Sequence, residues 1–98
     1  MVSGPEYPFG NFDNIPAICA LAKSYNIGCH FDCCIGFINL FAEEAGFKLQ
    51  YLCDFRVPGL TSISCDTHKY GHGPKGYSVC LFKTTELRSH QFYVCMTW

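Results

Sequence analysis

The spacing of apolar positions changes along the chain, and each change marks an element. From Asn14 to Asn26 the residues Ile15, Ile18, Cys19, Ala22 and Tyr25 recur every three or four positions, the period of one helix face. Asp13 stands before this run as a predicted N-cap. Pro16 falls in the first turn, where its missing N–H has no intrahelical partner to lose. Asn26 and Gly28 end the helix. The short apolar run IGCHF (27–31) predicts a buried strand closed by Asp32. IGFINLFAEEAG (35–46) returns to a helical reading, with Gly46 as its stop. FRVPG (55–59) is a connector. LTSISCD (60–66) predicts a second strand ending at Asp66, and YSVCLFK (77–83) a third, with a glycine-rich loop between them. TTELRSHQ predicts one helical turn opening at Thr84 or Thr85, and FYVCMTW a final extended piece. Residues 3–12, with Pro5, Pro8, Gly4 and Gly10, read as a loop.

The order helix, strand, helix, strand, loop, strand is an α/β pattern. It predicts a mostly parallel sheet with flanking helices and parallel pairing of the first two strands. With 98 residues the chain holds one domain at most, spanning 1–98. Ligands of such sheets gather outside the carboxyl ends of the strands. Asp32 and Lys69 each follow such an end, so the pattern brings a carboxylate and an amine toward one edge.

Composition narrows the classes. Half the residues are apolar and only 15% are charged, which excludes a disordered chain. The net charge of -1 leaves no electrostatic footprint for nucleic acid or an anionic membrane. No uncharged run approaches the roughly 18–20 residues of a transmembrane helix. MVSGPEYPFG lacks the basic start and apolar core of a signal peptide, and nothing else in the chain names a compartment.

Eight cysteines invite three readings. Cys19, Cys53, Cys65, Cys80 and Cys95 lie within or beside apolar runs, where a thiol acts as a small hydrophobe. Buried thiols are therefore favoured over disulfides, which need an oxidising compartment. They are favoured over metal too. Cys29, His30, Cys33 and Cys34 have no C-x-x-C pair, and Gly71, Gly73 and Pro74 argue against a helix that would set His68 and His72 on one face. No metal site is expected, although a thiol-rich metal or redox module stays open.

The chemistry concentrates in SCDTHKYGHGPKG, residues 64–76. A lysine shielded from water at a sheet edge has its charged form disfavoured and its pKa lowered. The neutral amine is then a nucleophile toward carbonyls, and a Schiff base with pyridoxal phosphate is one use of it. Such a site needs a carboxylate beside the pyridinium nitrogen, which Asp32 could supply. His68 and the Gly71–Gly76 loop could supply donors to a phosphate. Read alone, these residues equally describe a capped strand end and a solvated turn lysine.

Longer motifs separate the two. HFDCC (30–34), DFRVPGLTSISCDTHKYG (54–71), PKG (74–76), the opening SGPEYPFGNFDNI and LRSHQFYV together resemble the sphingosine-1-phosphate lyases. These belong to the pyridoxal-phosphate-dependent decarboxylase-like group of fold type I. The resemblance implies that Lys69 carries the cofactor, Asp32 pairs with its ring nitrogen and His68 sits near its phosphate. Cys33 would stand where the family has a small residue on the ring face. His30 is a cofactor-side residue that also reads as a hydrogen-bonded interior histidine. Lys75 resembles the family's second lysine, tied to phosphate or substrate. The implied reaction is retro-aldol cleavage of a sphingoid-base phosphate to a fatty aldehyde and phosphoethanolamine. The family is homodimeric and works at the endoplasmic reticulum membrane or in the cytoplasm. Asp54 and Arg56 read as a structural pair, and Tyr70 as packing.

Departures are local, apart from length. Phe31 replaces the usual valine and is expected to crowd the strand. His72 and Gly73 alter the loop, Tyr77 could reach into the site, and Glu6 and Phe9 change the opening segment. Family members are several times longer, so the chain reads as a partial domain, the cofactor-lysine half of the large domain, inactive alone. Two alternatives remain: a degenerate module that associates with a full-length lyase, and a related amino-acid decarboxylase.

Overall fold

Alternation along two adjacent strands decides the architecture. The computed structural model describes residues 1–96. Its elements are β1 (Val2–Ser3), α1 (Ile15–Ser24), β2 (Cys29–Asp32), a 3-10 helix (Gly36–Phe41), β3 (Leu60–Cys65), β4 (Val79–Phe82) and α2 (Thr85–Ser89). The sheet runs β1-β2-β3-β4. The first two pairings are parallel and the last antiparallel, as the mostly parallel α/β reading requires. One face of the inner strands carries Phe31, Leu60, Ile63 and Cys65, all buried. They pack with Val2 of β1 and with Ile15, Cys19 and Ala22 of α1 in one core. The other face carries His30, Asp32, Ser62 and Ser64, all half-buried. A side-chain period of two makes that division unavoidable once Phe31 and Ile63 face the core.

Several local expectations change. Asn14, not Asp13, caps α1; its Oδ1 accepts the Ala17 N–H at 3.2 Å. Asp13 is diverted because its backbone N–H bonds Ser3 O at 3.0 Å and its carboxylate accepts the Ser3 N–H at 2.8 Å. The predicted loop 3–12 thus begins as a strand edge. Tyr25 ends α1 as its C-cap and is exposed, so it leaves the apolar face. Residues 36–41 form a 3-10 helix with no side-chain cap, and turns continue to Gly46 at φ +82°. Apolar residues there do not share one face: Ile38 and Phe41 are exposed while Ala42 is buried. Thr84 caps α2 through the Leu87 N–H at 3.2 Å, as predicted. Residues 92–96 form no strand. Thr97 and Trp98, the rest of the expected extended piece, lie outside the described residues.

The crowding expected at Phe31 does not arise. Its ring is fully buried beside Gly4, where a Cβ would stand 3.2 Å from Phe31 Cε2 and 2.6 Å from Phe12 Cδ1. Glycine at position 4 leaves room for the larger ring. Asp54 and Arg56 pair as expected: Arg56 Nε lies 2.9 Å from Asp54 Oδ2, and its Nη2 also reaches Glu43 at 2.5 Å. Arg56 draws the Asp54 carboxyl below its ordinary range. The group is largely solvent-exposed, so it orders the connector more than it stabilises the fold.

β4 is the weakly held member, with Val79 and Leu81 both exposed. Phe92, Tyr93, Val94 and Met96 are also exposed. The radius of gyration of 14.1 Å exceeds the roughly 13 Å of a compact 100-residue domain.

Gly59 fixes how the connector meets α1. Its φ is +91°, and a Cβ there would lie 2.5 Å from the Cys19 carbonyl oxygen. Gly46 has a positive φ but open space around it. We therefore predict that Gly59→Ala destabilises by roughly 2–3 kcal/mol, several degrees of Tm per kcal/mol in a domain of about this size. Gly46→Ala should cost about half as much. Equal Tm shifts in thermal denaturation would contradict the close approach.

Candidate functional site

Register builds the polar face. Cys29 pairs with Leu60, but His30 then pairs with Ser62, leaving Thr61 as one extra residue in β3. Its Oγ1 donates to the Cys29 carbonyl at 2.9 Å, at the register shift. From there the strands run in step, His30 beside Ser62 and Asp32 beside Ser64. His30 Nδ1 lies 2.8 Å from Ser62 Oγ, and Nε2 lies 3.2 Å from Ser64 Oγ. Ser64 donates its one hydroxyl proton to Asp32 Oδ1 at 3.3 Å. Nε2–H must then donate to Ser64, and in the neutral imidazole Nδ1 accepts from Ser62. Asp32 Oδ1 also accepts the Cys34 N–H at 3.1 Å. The carboxylate is thereby held at the carboxyl end of β2.

Lys69 approaches from the other side. After β3, the Lys69 N–H bonds the Asp66 carbonyl at 3.1 Å, and Lys69 Nζ lies 2.6 Å from Asp66 Oδ2. Burial and then Asp32 push the Cys34 thiol up, while Lys69 opposes them, so both charged groups act on one side chain. Lys69 also lines a hollow of about 470 Å³ with Ile35, Tyr70 and His72.

The expected electrostatics of Lys69 are reversed. Burial lowers its pKa as anticipated, but the Asp66 ion pair raises it by more, so the net direction is up. Its side chain is 35% exposed, which is too wet for desolvation to dominate. In this state Lys69 is an ammonium group, not a free amine. Asp66 is lowered in turn, first by Lys69 and then by Ser78.

The remaining expected residues divide. His68 Nδ1 lies 2.8 Å from the Tyr77 carbonyl oxygen, at the base of the glycine loop. Cys33 is fully buried and its thiol is pushed up by burial near Cys65 and Cys53. Lys75 is exposed on the loop, apart from the hydrogen-bonded group. The Tyr77 side chain is exposed, as is Tyr70. Glu6 accepts the backbone N–H groups of Phe9 and Asn11 at 3.1 and 3.2 Å, so it closes its own loop. Cys34, Ser64, Asp66 and Ser78 escaped the sequence reading. Asp66 had a visible signal, three residues before Lys69 at a strand end; the serines did not, because register alone brings them in.

Over 97 residues the chain is 50% identical to sphingosine-1-phosphate lyase of Saccharomyces cerevisiae and 47% identical to sphingosine-1-phosphate lyase 1 of Rattus norvegicus. Each match covers 98% of this chain. The chain matches a segment of the sphingosine-1-phosphate lyases. It spans about a sixth of the length of these curated relatives. The solved structure of the Burkholderia pseudomallei sphingosine-1-phosphate lyase superposes with a TM-score of 0.84 and 41% identity, covering 99% of this chain and 22% of that one. The four-stranded sheet is accordingly part of a fold type I architecture. No family model matches the chain. Among the described residues no helix is long and apolar enough to cross a membrane.

Thiols in this chain split by burial. Cys19, Cys29, Cys33, Cys53 and Cys65 are buried. Cys80 and Cys95 are exposed, against expectation, because β4 and the residues after it lack a covering layer. No group of three or more His, Cys, Asp or Glu side chains is arranged to hold a metal among the described residues. Burial raises Cys19 to about 12 and Cys53 to about 11. Reactivity follows the accessible thiolate. A brief iodoacetamide pulse at pH 8 should label Cys80 at least about tenfold faster than Cys19, Cys33 or Cys53, as read by peptide mass spectrometry. Comparable rates in the native chain would refute the core.

Proposed function

We infer that this chain is the cofactor-lysine segment of a pyridoxal-phosphate-dependent carbon–carbon lyase acting on sphingoid-base phosphates. The observation that carries the reading is the adjacency of two strand ends: Asp32 closes β2 beside Ser64 of β3, and Lys69 Nζ is held 2.6 Å from Asp66, two residues beyond Ser64. An aromatic cofactor attached through a carbonyl needs an amine at one end and a carboxylate at the ring nitrogen opposite. The donor set suits that group. Asp32 is held by the Ser64 hydroxyl and the Cys34 N–H, and Lys69 opens onto the hollow formed by Ile35, Tyr70 and His72.

Pyridoxal phosphate bound here would supply an electron sink for breaking the bond between the amine-bearing and hydroxyl-bearing carbons, releasing a fatty aldehyde and phosphoethanolamine. Lys69 is the attachment point. Asp32 would hold the proton on that ring nitrogen, and the Ser64 hydroxyl, itself bonded to His30, steadies the carboxylate. Cys33 is buried in the hydrophobic core. His68 and Lys75, on the loop that follows, are the candidates for phosphate contact. A segment of this length lacks most of the contacts that orient a substrate, so the reading assigns it no turnover alone.

The exposed apolar residues Val79, Leu81, Phe92 and Val94 favour a second reading, a non-catalytic module that associates with a complete lyase subunit. Co-purification with such a subunit, without cofactor absorbance from this chain, would support it.

The test of the main reading is covalent. The chain is incubated with pyridoxal phosphate, reduced with borohydride and mapped by mass spectrometry. We expect the adduct at Lys69 to exceed that at Lys23, Lys48, Lys75 or Lys83 by about tenfold, and Lys69→Ala to abolish the visible absorbance. Labelling spread evenly over the lysines, unchanged in Lys69→Ala, would defeat the proposal.

A further inference from the structure

Asp66 does two things at once. Its Oδ2 lies 2.6 Å from Lys69 Nζ, and its Oδ1 accepts the Ser78 hydroxyl at 2.5 Å. Ser78 stands one residue before β4, so this bond ties the start of that strand to the end of β3. Beside it His68 Nδ1 meets the Tyr77 carbonyl at 2.8 Å, and within the loop the Gly73 N–H bonds Thr67 O at 2.6 Å. The carboxylate therefore sits on a closed loop base, with its side chain only 15% exposed. It cannot follow Lys69 if the amine swings away.

We propose that Asp66 is a positioning residue that latches Lys69 as an ammonium group at the loop base, so that a carbonyl compound is captured only when this ion pair opens. The proposal rests on the reading of Lys69 as the carbonyl-binding amine. The charged and titratable groups facing Lys69 are few. Asp66 comes from its own turn, Cys34 acts on the amine from the segment after β2, and Asp32, the last residue of β2, acts on Cys34. His72 and Tyr70 line the neighbouring hollow, and His68 acts on Asp66.

The chemistry follows directly. An ammonium nitrogen has no lone pair for a carbonyl carbon. Lys69 must first give a proton to solvent, and only then does its nitrogen form the C–N bond. The nitrogen then gives up its two remaining protons, the carbonyl oxygen takes up two and leaves as water with its C–O bond broken, and the imine remains. Asp66 opposes the first of these steps, because loss of the proton ends the ion pair. Replacing the carboxylate by an uncharged amide of the same shape removes that opposition.

The experiment compares the wild-type chain with Asp66→Asn. Each is exposed to a short neutral aldehyde, propionaldehyde, with cyanoborohydride, and modification of Lys69 is timed by peptide mass spectrometry from pH 6 to 11. A fall of one unit in the lysine pKa raises the neutral fraction about tenfold. The pair is partly solvated, so we expect Asp66→Asn to modify Lys69 roughly threefold to tenfold faster at pH 7. The gap between the two rates should narrow toward pH 11, as the wild-type amine also begins to lose its proton. Lys23 and Lys83 should react equally in both proteins. The ε-carbon resonance of Lys69 should titrate at lower pH in the variant.

An Asp66→Asn rate equal to or below wild type across the whole range overturns the latch. Should that variant fail to fold, Ser78→Ala loosens the carboxylate without removing it. It should give a smaller rise in the same direction, and no rise is again fatal. Propionaldehyde carries no phosphate or ring, so this result stands apart from recognition of pyridoxal phosphate. Loss of selective pyridoxal phosphate labelling would sink the functional reading, whereas unchanged propionaldehyde rates would sink only the latch.

Discussion

Two parallel strands held in step are the constraint from which the rest follows. Phe31 opposite Ile63 commits one face of β2 and β3 to the core. Pleating then leaves His30, Asp32, Ser62 and Ser64 no choice but the other face. A slip of one residue in either strand would break both arrangements together. The extra residue at Thr61 lies upstream of all four, and its hydroxyl donates to the Cys29 carbonyl at the register break. Hydrophobic burial and the polar site are thus one decision about register, not two.

Electrostatics at the strand ends then sort the charged groups. Asp32 is held by neutral donors, a hydroxyl and a backbone N–H. Asp66 is held by a cation and a hydroxyl. Two carboxylates of the same chemistry, each near one strand's end, therefore hold different company. One is left able to face a further positive group, while the other already has its own.

Much of this was legible in the residues. The helix face over Ile15–Ala22, the two parallel strands and their closure at Asp32 and Asp66 all follow from periodicity and strand-end placement. What failed was whatever depends on a competitor elsewhere in the chain. Asp13 looked like the better cap until the Ser3 backbone claimed it. Lys69 looked dry until Asp66 supplied a counter-charge stronger than the effect of burial. Cys80 and Cys95 looked internal because an apolar run does not say whether anything lies over it. Ser62 and Ser64 carry no signal of their own, since a serine in a strand becomes part of a site only through what stands beside it.

The bare outer margin of β4 carries a last implication. A strand wetted on both faces, with Val79 and Leu81 outward and, among the described residues, no neighbour beyond it in the sheet, offers its backbone N–H and C=O groups to any extended peptide that drifts past. At high concentration the nearest such peptide is another copy of the same strand. Handling this chain in solution is therefore a contest between keeping it folded and keeping it from zipping, margin to margin, into ordered aggregates.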